Sequence, residues 1–341
     1  MLFSLWMVIG LFLDGWAHDN NRPESFFTPW HGVLYSGFSA AAAYALYVAW
    51  RSRGNAPLVA TLPKGHGLTL LSLGLFGAGA VSDLVWHEIF GIEVGVEALL
   101  SPTHLLLLTS GMIALSAPIR AAWGSREEPT TLRGFLPTVL SFALLTALAG
   151  FFFLFLSPFV NDAAGQGFLR IAEGPHDHPS SDPEELTQLL GIASIFVTTV
   201  LLAVPTHLLL RRWVPPRGSL TLLYSVVVTL LVGLDEFRQL PVVLAGIGAG
   251  AAADAVSRRF PVGTAAVGTG VLWVLYFAIY RLSEGRVAWA AELWAGTVFL
   301  SALLAGAVGL VAHPPSLVGA AAGSPPSSGA PREAPDPLCA P

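Results

Sequence analysis

Apolar residues run along this chain in stretches of about 20, the length one helix needs to cross a bilayer. About ten such stretches are present, near residues 2–18, 29–50, 67–89, 101–123, 135–159, 187–210, 219–235, 239–257, 262–281 and 289–311. Short polar segments separate them. The pattern predicts an all-α, polytopic integral membrane bundle of about ten transmembrane helices. Met1 to Leu13 is apolar from the first residue, with no basic region and no small-residue cleavage site. It therefore reads as a retained first helix and not as a cleaved signal peptide.

Composition sharpens this picture. Hydrophobic residues make up 54% of the chain and charged residues 11%, against roughly 25% charged in ordinary soluble domains. The lipid bilayer is thus the first expected partner. A formal charge of -5 gives no footprint for nucleic acid. The single cysteine, Cys339, excludes an internal disulfide framework and any cysteine-based metal cluster.

Basic residues set the expected orientation. Loops after even-numbered stretches carry Arg51, Arg53, Lys64, Arg120, Arg126, Arg133, Arg211, Arg212, Arg217, Arg258 and Arg259. Those after odd-numbered stretches carry only Arg22, Arg170, Arg238, Arg281 and Arg286. This bias predicts a multi-pass protein of the cell membrane with both termini in the cytoplasm. Three regions follow: a two-hairpin metal-binding membrane module at 1–123, a second helical module at 124–312 with an outer loop at 160–186, and a cytoplasmic tail at 313–341. The tail is rich in Pro, Ser, Gly and Ala and is expected to be disordered.

The chemistry lies in a pattern that occurs twice. Asp14-x3-His18 is followed by Glu24 and Thr28-Pro29-Trp30-His31; Asp83-x3-His87 is followed by Glu97 and Ser101-Pro102-Thr103-His104. In each copy the glutamate lies seven residues before the last histidine. Residues four apart share one helix face. Thr28 and Ser101 read as N-caps with Pro29 and Pro102 at the first helical position, which puts His31 and His104 in the first turn of the next helix. A short antiparallel pair then gathers Asp14, His18 and His31, and a second gathers Asp83, His87 and His104. Ionisable residues in apolar sequence are costly and usually functional. Capping explains the Ser, Thr and Pro but not the histidines. Three protein ligands leave an open coordination position, as in catalytic sites. Imidazole with carboxylate suits copper, and zinc and iron as well. Glu24 and Glu97 are candidates for a fourth ligand or for orienting a ligand histidine. Haem held between histidine pairs is the other reading of the four histidines, and the repeated carboxylate argues against it. By the orientation above, both sets lie near the outer face.

Asp14-x3-His18-x12-His31, with Glu24 and a closing Thr-Pro-x-His, resembles the C-type membrane component of the copper membrane monooxygenases, the family of particulate methane monooxygenase and ammonia monooxygenase. The second set, Asp83, His87, Glu97, Pro102 and His104, resembles that component's Asn-x3-His, Glu and Pro-x-His set. Here Asp83 replaces the asparagine, and the gap from His87 to His104 is three residues longer than the family's. The resemblance covers about residues 14–111. It implies copper at Asp14, His18 and His31. It implies a second copper at Asp83, His87 and His104, the candidate catalytic set, where dioxygen would be activated to hydroxylate a small apolar substrate. It also implies partner membrane subunits; a homo-oligomer is the alternative. The competing functional reading is a non-catalytic metal handler that stores, senses or transports copper or zinc.

Other polar groups carry weaker expectations. His176-Asp177-His178 on the outer loop reads as a solvated acidic segment or a metal collector. His207 reads as structural or interfacial. Asp235 and Arg238 are expected to pair, as are Asp254 and Arg258 one helical turn apart. Gly246, Gly248, Gly250, Gly263, Gly268 and Gly270 are expected to permit close helix contact.

Overall fold

A computed structural model of the chain describes residues 1–20, 28–52, 67–91, 95–125, 128–161, 163–164 and 183–314. The described residues form α-helices joined by short 3₁₀ turns and loops, and none of them is in a β-strand. The helices are α1 (Leu2–Asp19), α2 (Pro29–Ser52), α3 (Gly67–Phe90), α4 (Val96–Leu100), α5 (Pro102–Leu115), α6 (Ala117–Trp123), α7 (Leu132–Phe152), α8 (Pro183–Arg212), α9 (Ser219–Gly233), α10 (Val242–Val256), α11 (Thr264–Ser283) and α12 (Ala291–Ala312).

Each of the ten apolar stretches holds a helix. Seven spans among the described residues are long and apolar enough to cross a membrane: α2, α3, α5 with α6, α7, α8, α11 and α12. The apolar helices α1, α9 and α10 are shorter. Large apolar side chains point outward along the bundle, with Leu2 82%, Leu71 61% and Val311 81% exposed. A helical bundle in lipid presents such a surface, because its backbone is satisfied within each helix and its apolar exterior meets acyl chains.

The N-terminal third is two antiparallel hairpins, α1 with α2 and α3 with α5. The first is tight. A Cβ on Gly10 would lie 2.5 Å from the Leu34 backbone, and one on Gly37 would lie 2.6 Å from the Met7 nitrogen. Only glycine allows that approach. The 101–123 stretch is interrupted at Ser116, just before Pro118, whose missing N–H breaks the helical ladder.

Helix α7 is the most enclosed span and packs against α1, α5 and α9. It begins at Leu132, where Thr131 caps the Gly134 N–H at 3.2 Å. It stops at Phe152, earlier than the apolar stretch does, and passes into a 3₁₀ turn at Leu154–Leu156. The segment after that turn is fixed by aromatic donors. Tyr276 Oη donates to the Pro158 carbonyl at 2.9 Å, and Trp289 Nε1 donates to the Ala163 carbonyl at 3.0 Å. Asn161 Nδ2 donates to Ser194 Oγ at 2.6 Å. Deep in the second half, fully buried Trp273 donates from Nε1 to Thr199 Oγ1 at 2.8 Å, tying α11 to α8.

The expected close approaches in the second half occur between α9 and α10. A Cβ on Gly250 would lie 2.5 Å from the Thr221 Cα, and one on Gly246 would lie 2.9 Å from the Val228 Cβ. Gly268 leaves room for the Tyr224 hydroxyl. Arg238 pairs with Asp235 at 3.3 Å. Asp254 does not pair with Arg258. It turns across to α9 and accepts from the Leu220 and Thr221 backbone N–H groups and from Thr221 Oγ1, at 3.2, 2.8 and 2.7 Å. The physical reason is local: a helix start carries several N–H donors without helical partners, and Gly250 holds that start against α10.

Candidate metal centre

Asp14 sits near the end of α1, and His18 lies one turn later on the same face. His18 Nε2 lies 3.8 Å from one Asp14 oxygen. His31, in the first turn of α2, brings Nε2 to 3.3 Å from the other Asp14 oxygen. The second set repeats the arrangement on α3 and α5. His87 Nε2 lies 3.4 Å from one Asp83 oxygen, and His104 Nε2 lies 3.4 Å from the other. In each trio, ligand atoms from all three residues lie within 4.8 Å of one another. Asp83 is 2% exposed, so its charge is held almost wholly away from solvent. All six expected ligands are therefore brought together in the two expected groups.

The capping residues also orient the histidines. Thr28 Oγ1 lies 2.9 Å from His31 Nδ1 and accepts the His31 backbone N–H at 3.4 Å. Ser101 Oγ lies 2.8 Å from His104 Nδ1 and accepts the His104 N–H at 3.3 Å. At the second site the donors can be followed to their end. Thr103 Oγ1 donates to Asp83 Oδ1 at 2.7 Å. Its one proton is thereby used, so in its 3.2 Å contact with Ser101 Oγ the serine donates. Ser101 then has no proton left for the imidazole, and His104 Nδ1 must carry the hydrogen. His87 Nδ1 contacts the Gly91 carbonyl at 3.3 Å, and a carbonyl only accepts, so this nitrogen carries hydrogen too.

Both tautomers therefore leave an Nε2 lone pair turned toward the Asp83 carboxylate, if the rings are neutral. Lone pair against carboxylate is repulsive. A cation between them, or a second proton on each ring, removes that repulsion. The donor set fits a metal ion on this ground: two imidazole nitrogens of fixed tautomer, one buried carboxylate, and outer hydrogen bonds to the far ring nitrogens.

The two sites open on one space. A cavity of about 470 Å³ is lined by Asp14, His18, His31, Asp83, His87 and His104 together. Its remaining wall is almost entirely apolar, including Met7, Val8, Leu34, Phe76, Leu107 and Leu108. Phe151, Phe152 and Phe155 close one side, and Asn161 adds an amide. Tyr35, one turn after His31, stacks on that imidazole with ring centroids 5.9 Å apart and also lines the cavity. It is close enough to feel the charge of both Asp14 and Asp83.

Some of these residues escape a reading of the sequence. Thr103 carries no signal beyond its place in a capping motif. The aromatic wall from α7 lies far along the chain, with no motif attached. One further repeat is visible. Gly10 and Gly79 each lie four residues before the aspartate, and Leu34 and Leu107 each lie three after the last histidine. Gly10 faces Leu34, and Gly79 faces Leu107. The longer gap of the second copy, between His87 and His104, falls where α4 is inserted between the ligand helices.

Glu24 and His176-Asp177-His178 lie outside the described residues, as does the side chain of Glu97 on α4. No family model, curated protein or solved structure matches the chain.

Proposed function

We propose that the protein is a multi-pass membrane protein holding one copper ion in each Asp–His–His trio, and that it acts on a small apolar molecule in the shared cavity. The observation that carries this reading is the joint opening of both trios into one apolar chamber. A structural metal staple has no use for such a chamber. In this reading α1, α9 and α10 also cross the bilayer, both termini are cytoplasmic and the trios lie toward the outer face, as the arginine distribution implies. Partner membrane subunits or further copies of the chain complete the assembly.

The residues divide the work. Asp14, His18 and His31 hold one ion, and Asp83, His87 and His104 hold the other. Bound copper would supply dioxygen activation and electron transfer, beyond the reach of protein side chains alone. Ser101 and Thr28 hold the far ring nitrogens, keeping Nε2 aimed inward. Thr103 steadies the Asp83 carboxylate. The Phe151, Phe152 and Phe155 side chains exclude water from the chamber. Hydroxylation of a C–H bond by dioxygen sends the second oxygen atom out as water and takes its electrons from an external reductant.

The test is oxygen uptake coupled to alcohol formation. Copper-loaded protein, given a small alkane and a reductant, should form the alcohol, and His104→Ala should abolish it. Metal bound in the trios with no oxygen-dependent product, across alkanes and alkenes, would leave the metal-handling function in its place.

A further inference from the structure

We propose that His207 and His313 form a separate binding site for a cuprous ion, at the end of the bundle away from the two trios. The site stands on its own donors and does not rest on the reading of the trios. His207 is 1% exposed in the interior of α8. Neither of its ring nitrogens makes a hydrogen bond, and neither does the buried Nε2 of His313 at the end of α12. The two rings meet edge to face with centroids 5.5 Å apart. The Ala305 backbone faces His207 without a hydrogen bond of ordinary geometry. Buried polar atoms are nearly always satisfied, and a neutral imidazole has one lone-pair nitrogen, so His207 and His313 offer one donor each to a ligand shared between the two rings.

Gly309 shapes the place. A Cβ there would lie 2.1 Å from the Val262 carbonyl oxygen and 2.9 Å from His207 Nε2. The missing side chain lets α8, α12 and the turn at Pro261–Gly263 converge on the same point. The distance from the trios follows from α8 itself. Asn161, in the cavity wall, contacts Ser194, and His207 lies 13 residues further along the helix. At 1.5 Å per residue that is about 20 Å.

The donors choose the ion. Imidazole suits copper, zinc, iron and nickel. Zinc asks for four ligands, and a divalent ion in this apolar setting carries about four times the desolvation cost of a monovalent one, since that cost grows with the square of the charge. Among the described residues neither ring has a carboxylate ion pair to offset it. Two neutral imidazoles and one positive charge match cuprous copper, which accepts low coordination numbers.

The experiment uses full-length protein in detergent carrying His18→Ala and His87→Ala, so that the trios are disabled. It is titrated anaerobically with cuprous ion against a chromogenic cuprous chelator. The expected result is one retained equivalent. That equivalent should disappear in His313→Gln, a variant at a helix end, and also in His207→Gln where that variant runs as a single species on size exclusion. Zinc should not compete. No retained equivalent, or one that survives His313→Gln, would overturn the proposal and leave ordered water as what satisfies the rings. Either outcome leaves the trios untouched, because their metal is read in wild type.

Discussion

Asp83 faces one imidazole with each oxygen while also accepting from Thr103. The Thr103–Ser101–His104 chain, running from the carboxylate back to the far side of the ring, is what makes this trio more than three coincident side chains. Removing a link should weaken the metal without deleting a ligand. Ser101→Ala and Thr103→Val should each lower affinity at this site by roughly 10- to 100-fold, measured by chelator competition, with His104→Ala as the complete loss. Unchanged affinity in both would mean that His104 is oriented by packing alone. The first trio has Trp30 where the second has Thr103, so the same relay is not built there. A different kind of constraint acts at Gly15. A Cβ there would lie 2.2 Å from the Phe151 ring, between Asp14 and the cavity's aromatic wall. Gly15→Ala should destabilise the protein by about 1–3 kcal/mol, read as a lower melting temperature in detergent. The six ligands were legible because metal chemistry restricts both residue type and spacing. Thr103 and Tyr35 were not, since a threonine in a capping motif and a tyrosine on an apolar helix carry no spacing rule of their own.

At the scale of elements, two hairpins deliver the same ligand geometry through loops of different length. Gly10, four residues before Asp14, lets α1 meet the Leu34 backbone, and Gly79, four before Asp83, meets the Leu107 side chain, so helix contact lies one turn from each ligand set. Gly10→Val, aimed at the Leu34 backbone, should lower both melting temperature and metal content. Gly74→Ala should change neither, because nothing lies within 4 Å of a Cβ there. The pairing of Asp254 shows where reading along a single helix fails. The i to i+4 rule names Arg258, yet the carboxylate crosses to three donors at the start of α9, because the contact at Gly250 puts that helix end within reach. Asp254→Ala should cost about 1–2 kcal/mol, the usual range for losing a helix cap, and Arg258→Ala should cost little. Equal effects of the two would contradict the capping role. Sequence periodicity gives the existence of helices well. It does not give which neighbour a polar side chain will find, because that depends on contacts between distant segments.

For the molecule as a whole, each apolar stretch holds a helix, and seven spans among the described residues reach the length and apolarity that a bilayer crossing needs. What the sequence did not give was the chamber. Its walls come from α1 to α5 and also from α7 and the segment that follows, which lies beyond the region carrying the motif. Filling that chamber should separate metal binding from use of the space. Leu108→Trp should leave metal content intact while blocking the binding of xenon, which seeks dry apolar cavities. Retained xenon binding would mean that the space is reached differently. The most direct test of the central claim is metal content of the detergent-purified protein after aerobic copper loading, wild type beside the double variant His18→Ala with His87→Ala. The expected result is that wild type holds one more copper ion per chain for each of the two trios than the variant does. Equal copper in the two proteins, or none in wild type after copper and zinc loading, would contradict it.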